Sequence, residues 1–270
     1  MTNLHMEVNS DSRFNDYADV IDVGISFAFQ AVVDTEGQST LGHEALVRGL
    51  NGESAHEIIA SVRPENLFFF DQACRMRAIA DADRAGLEGS LHLNCTEVDA
   101  DTMELALSAT AAAVANSRLD PSQVVLEFST LARLGNPRQL ADVRARANAY
   151  GFRVLADNFG LGEAGLKRLA VLRPEFVKLD RELISSVHVS PRRQAMVCGV
   201  VATCKALGIT VIAAGVECAA EVAWLVEAGV DQFQGFYFAR PEAVSDEEVL
   251  FDAPVRSGLS DDLALSLCAA

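Results

Sequence analysis

Two segments near the start of the chain alternate apolar and polar positions with the period of a strand: GISFAFQAVVD (24–34) and LGHEALVRG (41–49), separated by Thr-Glu-Gly at 35–37. They predict two antiparallel strands joined by a hairpin. After Ser54 the spacing becomes helical through Val62 and again from Glu65 to Ala85, where Phe68, Phe69, Ala73, Met76 and Ile79 line one apolar face that Gly86 ends. The run LHLNC (91–95) is the next strand, and short apolar runs then recur: QVVLEF (123–128), RVLADN (153–158), FVKLD (176–180), TVIAAG (210–215) and DQFQGFYF (231–238). Ala-rich or amphipathic helices are predicted between them, around 101–117, 137–150, 163–172, 190–207 and 218–228.

Strands alternating with helices at this spacing imply a parallel sheet, and about eight strands close more economically as a barrel than as an open sheet. The predicted fold is α/β, a TIM-like (β/α)8 barrel with an antiparallel first strand. No linker divides the chain. A polar tail over 1–22, a barrel domain over 23–252 ending in a short helical signal at 245–252, and a C-terminal tail over 253–270 are expected.

At 270 residues and half hydrophobic, the chain can bury a large core. A formal charge of −16 and a pI near 4.7 disfavour nucleic-acid polymers and anionic membranes, although one arginine can still hold a small anion. No apolar stretch reaches membrane-spanning length, and the polar start MTNLHMEVNSDSRF lacks the core of a signal peptide, so a cytoplasmic location is expected. Cys74, Cys95, Cys198, Cys204, Cys218 and Cys268 contain no C-x-x-C pair and sit mostly in apolar segments, which reads as reduced core thiols.

Apolar runs have no need of an acid or amide at their last position, yet these close on Glu44, Asn94, Glu127, Asp157, Lys178 with Asp180, and Gln234. In a parallel barrel all C-terminal strand ends open on one face, so these residues converge. Three carboxylates and an amide oxygen repel one another unless a cation sits among them, and Mg²⁺, Mn²⁺ or Ca²⁺ suits such oxygens. Singly, each residue reads more readily as a helix cap or a solvated loop residue than as a ligand, and it is their repetition at equivalent positions that favours the ligand reading. Other signals are discounted: Gly160-x-Gly162 is too short for a dinucleotide fingerprint, and Asn94-Cys95-Thr96 lies at a strand end rather than on a glycosylated loop. His43 should point away from Glu44 and pack, and Trp224 should pack with Val222, Leu225 and Val226.

HEALVR (43–48), LNCT (93–96), LEFST (126–130), ADNFGLG (156–162), KLD (178–180), AAGVE (213–217) and QGFYFARP (234–241) resemble, in order, the motifs of the EAL domain family. That family hydrolyses cyclic di-GMP to pGpG on a barrel of this kind. VRG-x-x-GES (47–54) and FDQACR (70–75) further resemble the EAL domains attached to blue-light-sensing BLUF modules, and the 270 residues contain no BLUF module.

The resemblance implies that Glu44, Asn94, Glu127 and Asp157 ligate a divalent cation, Mg²⁺ or Mn²⁺, with Ca²⁺ as an inhibitory alternative. Arg48 should bind a phosphate, and Lys178 should position the attacking water. Glu217 should assist catalysis, while Asp180, Gln234 and Gln30 line the ligand pocket. The chain departs from the family where the second metal is held: Asn158 replaces an aspartate and Ala214 a glutamate. Thr130 replaces a glutamate that steadies the loop after D-D-F-G, and that loop is itself altered at Leu161-Gly162-Glu163-Ala164. Losing second-metal ligands weakens hydroxide generation and charge neutralisation.

The resemblance therefore implies a degenerate, stand-alone member, catalytically deficient, that binds the nucleotide or a protein partner such as a transcription regulator. The alternative is an active metal-dependent phosphodiesterase. A homodimer is also implied.

Overall fold

The computed structural model of the chain describes residues 24–35, 39–129, 131–134, 136–160 and 166–243. The predicted tails, the helical signal at 245–252, Thr130, Cys268 and the altered loop at 161–164 lie outside the described residues. The tip of the first hairpin, 36–38, does so as well.

Strands β1 (Ile25–Asp34) and β2 (Thr40–Gly49) form the predicted antiparallel pair, with Gln30 opposite Glu44. Six parallel strands follow: β3 (Ser90–Asn94), β4 (Val124–Phe128), β5 (Arg153–Phe159), β6 (Phe176–Leu179), β7 (Thr210–Ala214) and β8 (Gln232–Gln234). They pair in chain order from β2 to β8, and β1 closes the ring by pairing antiparallel with both β2 and β8. A two-residue strand β9 (Glu242–Ala243), absent from the sequence reading, pairs with Ala28 and Phe29 of β1.

Outside the ring lie α1 (Ala55–Ser61), α2 (Leu67–Ala85), α3 (Met103–Ala115), α4 (Pro137–Ala149), α5 (Leu166–Leu172), α6 (Arg181–Ile184), α7 (Pro191–Leu207) and α8 (Ala219–Ala228). Their boundaries follow local chemistry. Ser54 caps α1 in a reciprocal capping box with Glu57, Asn136 caps α4 likewise with Gln139, and Gly86 in the left-handed conformation ends α2. The four-residue α6 was not foreseen, because its apolar content is too short to show a period.

The predicted strand over 231–238 stops at Gln234. At Gly235 a Cβ would stand 2.1 Å from the Val216 carbonyl oxygen, and the chain turns there, with Phe238 N and Ala239 N both donating to Gly235 O.

Strand alternation gives two apolar regions. Outward-facing residues such as Val124, Leu126, Val154, Val177 and Val211 pack under the helices in the main core. Inward-facing Val32, Val125, Leu155, Phe176 and Ile212 form a separate cluster that plugs the barrel. Trp224 packs against the main core as expected, beside buried Val222 and Leu225, while Val226 is exposed. His43 is buried. Cys74, Cys95, Cys198, Cys204 and Cys218 are free thiols, but Cys198 lies on the exposed side of α7, which corrects the expectation of a core position there.

Candidate functional site

Above the apolar plug the inward positions turn polar, except at Ala214. Each follows an apolar inward residue by two along its strand: Glu127 after Val125, Asp157 after Leu155, Lys178 after Phe176, Ala214 after Ile212, with Gln234 on the neighbouring β8. In β1, which runs the other way, Gln30 precedes Val32 by the same step.

Lys178 is the centre of this layer. It is 3% exposed, and its Nζ donates to Glu44 Oε2 at 2.9 Å and to Glu127 Oε2 at 2.7 Å. Gln234 Nε2 donates to the same Glu44 oxygen at 2.7 Å and to Gln30 Oε1 at 3.2 Å, and Gln30 Nε2 donates to Ala239 O at 3.0 Å. Asn94 Nδ2 reaches Glu44 Oε1 at 3.3 Å. The predicted residues Glu44, Asn94, Glu127, Lys178, Gln234 and Gln30 thus form one hydrogen-bonded cluster.

His92 was missed by the sequence reading, although its place two residues before Asn94 on the same face of LHLN was a usable signal. It is 1% exposed, its Nδ1 lies 2.8 Å from Glu127 Oε1, and its Nε2 is 3.0 Å from Ser90 Oγ. Burial, reinforced by the Lys178 charge, lowers its pKa to about 3, so the ring is neutral and fixes one Glu127 oxygen while Lys178 holds the other. Outside the ring, the buried pair Arg75–Asp71 anchors the end of β3: Arg75 Nη1 donates to Asn94 O at 2.9 Å, and Asp71 accepts from Thr96 N at 3.1 Å. The FDQACR segment therefore sets where Asn94 stands.

Asp157 and Asn158 both line the cleft, which strict alternation forbids. A bulge resolves this. Ala156 pairs with Val177 but Phe159 with Leu179, so β5 carries one extra residue here, and Asn158 takes a φ of 52°. Asparagine tolerates this left-handed conformation better than most residues.

The cleft has a volume of about 280 Å³, and Asp157, Asn158, Asp180, Ala214, Glu217 and Phe236 are among its lining residues. Asp180 also caps α6, accepting from Glu182 N at 2.6 Å. Glu217 forms an ion pair with Arg181 at 2.6 Å, and Arg181 lines the same cleft. Three predicted residues stand apart from this lining, one of them the fully buried Glu127. Asn94 faces an adjoining cavity shared with Glu44, and Arg48, two strand steps beyond Glu44 on the same side of β2, donates to Val47 O at 2.8 Å.

The electrostatics indicate what fits. Burial disfavours charge on all three acids. At Glu44 the Lys178 charge and the hydrogen bonds from Lys178 and Gln234 win, and the pKa falls to about 2. At Glu127 and Asp157 burial dominates and both rise to about 7. One ammonium therefore undercompensates three carboxylates. A hard divalent cation coordinated by Glu44, Asn94, Glu127 and Asp157 matches this donor set in charge and ligand chemistry.

A model of the EAL domain family matches residues 19–241. The chain belongs to the EAL domain family. A stand-alone EAL protein from Vibrio cholerae, solved in a c-di-GMP-bound form, superposes with a TM-score of 0.76 at 34% identity, covering 82% of this chain and 94% of that one. BlrP1 from Klebsiella pneumoniae, solved with manganese and cyclic di-GMP, gives 0.74 at 31% identity over 81% of this chain and 56% of that one. Among curated proteins, the blue light- and temperature-regulated antirepressor BluF of Escherichia coli is 28% identical over 88% of this chain and 59% of its own length. The chain thus covers less than two thirds of BluF. No helix among the described residues is long and apolar enough to cross a membrane.

Proposed function

We propose that the chain binds cyclic di-GMP at the mouth of the barrel, with one divalent cation on Glu44, Asn94, Glu127 and Asp157, and hydrolyses it slowly or not at all. One observation carries the deficiency: Ala214 and Asn158 line the same cleft as Asp157, so these two positions offer it a methyl group and a neutral amide. Ligand binding by the family members solved with c-di-GMP supports the nucleotide.

Glu44, Asn94, Glu127 and Asp157 would hold the cation, Mg²⁺ or Mn²⁺ in this reading, which would supply Lewis-acid polarisation and charge neutralisation at a phosphate oxygen. Lys178 holds Glu44 and Glu127 in place and, with its third N–H, orients water toward the phosphorus. Arg48 takes a phosphate through its paired donors once its contact with Val47 is released. Gln30, Gln234, Asp180 and Glu217 shape the pocket, and Glu217 also restrains Arg181. A protein partner such as a transcription regulator is part of the same reading, supported by the description of BluF as an antirepressor. A homodimer is proposed with it.

The alternative of an active phosphodiesterase draws on the intact Lys178 cluster and on the bulge that keeps the Asn158 side chain at the cleft. Incubation with cyclic di-GMP and Mn²⁺, followed by chromatography for pGpG, separates the two. Nucleotide binding with little product is expected, and Asn158→Asp with Ala214→Glu should raise turnover. Rapid conversion by the unmodified chain would establish the active alternative. Absence of binding in calorimetry would remove the nucleotide from the proposal altogether.

A further inference from the structure

The geometry points to a second metal site, formed by His188, Cys218 and Glu221, that takes a borderline-soft divalent cation such as Zn²⁺. Each of the three offers one ligand atom, and these atoms lie within 4.8 Å of one another. His188 belongs to the short 3-10 turn Val187–Val189 after α6, Cys218 is the N-cap of α8, and Glu221 lies in the first turn of that helix. None of the three lines the cleft described above.

The individual groups are prepared for a ligand. Glu221 is buried, and its carboxylate is aimed by two backbone donors, Ser186 N at 2.7 Å on Oε1 and Glu217 N at 2.9 Å on Oε2. Each oxygen keeps a further lone pair. His188 Nδ1 is enclosed and has no hydrogen-bond partner among the described residues, which is costly for an imidazole nitrogen unless something binds there. Cys218 is a half-buried free thiol.

One nitrogen, one sulfur and one carboxylate oxygen suit Zn²⁺ or Co²⁺, with a fourth position left for water. Mg²⁺ and Ca²⁺ are disfavoured by the sulfur and the nitrogen. The ion would tie the turn after α6 to the loop after β7, and that loop carries Glu217 into the cleft. Binding at this site thus bears on the cleft without sharing a ligand with it. Metal binding here requires no cyclic di-GMP in the cleft.

Cobalt distinguishes this site from the oxygen cluster, because only a bound thiolate gives a cobalt–sulfur charge-transfer band. The full chain, held in excess Mg²⁺, is titrated with Co²⁺ and then with Zn²⁺. One equivalent of Co²⁺ should produce the band and one of Zn²⁺ should erase it. Cys218→Ser should abolish the band while leaving the fold intact, since serine is a favoured N-cap residue. His188→Gln should weaken cobalt affinity at least about tenfold. Cys198→Ser, altering the exposed thiol, should leave the band unchanged. Absence of a band in the unmodified chain, its survival in Cys218→Ser, or its loss in Cys198→Ser would each overturn the assignment.

Discussion

Lys178, itself buried, donates to both Glu44 and Glu127, so removing its charge bears on two acids at once. Truncating one partner of a buried ionic cluster leaves its counterparts uncompensated, at a cost of about 3–5 kcal/mol. Lys178→Met should therefore lower the denaturant midpoint markedly in chelator, and Mn²⁺ should restore more stability to this variant than to the unmodified chain, because the cation then supplies the only positive charge. Equal recovery in both proteins would mean that the cation does not share the lysine's carboxylates. His92 acts one step further out, holding Glu127 Oε1 at 2.8 Å. His92→Phe keeps the ring-sized volume but loses that hydrogen bond, and Mn²⁺ affinity should fall roughly 10–100-fold, as measured by calorimetry.

Two local devices at the scale of the element deserve a direct test. The Ser54–Glu57 capping box fixes the start of α1, which covers β2 near the site. Ser54→Ala should cost about 0.5–2 kcal/mol in urea unfolding, with little change in metal affinity because the helix makes no contact with the oxygen cluster through that residue. Gly235 follows Gln234 directly, and an added methyl group would meet Val216 O at 2.1 Å and Val216 N at 2.3 Å. Backbone atoms cannot swing aside, so Gly235→Ala should cost roughly 1–3 kcal/mol. It should also disturb Gln234 and hence Glu44, which a matched drop in Mn²⁺ affinity would register.

The whole molecule carries a net charge of −16, so folding brings like charges together. Self-repulsion of this kind is screened by salt. The melting temperature should rise between low and physiological ionic strength in a non-coordinating salt, and a fall would show that exposed ion pairs such as Arg118–Asp83 outweigh the repulsion. The closed ring also explains why distant motifs act together. Glu44 and Gln234 are 190 residues apart in the chain yet 2.7 Å apart in space, since β1 links β2 to β8.

Much of this was written in local pattern. Strand and helix periods from Ile25 to Ala228 and the barrel class follow from which positions must be buried, and burial leaves a periodic trace in sequence that the polar residues closing the strands interrupt. What the sequence left open depends on atoms brought together across the fold. Strand β8 ends early because Gly235 meets Val216 from another loop, and Asn158 reaches the cleft because β5 bulges against β6. The pairing of neutral His92 with Glu127 needs two strands in register, as does the approach of Lys178 to two acids at once. Hydrogen bonds and electrostatic interactions fall off over a few ångströms, so their partners are fixed by tertiary distance and leave no period along the chain.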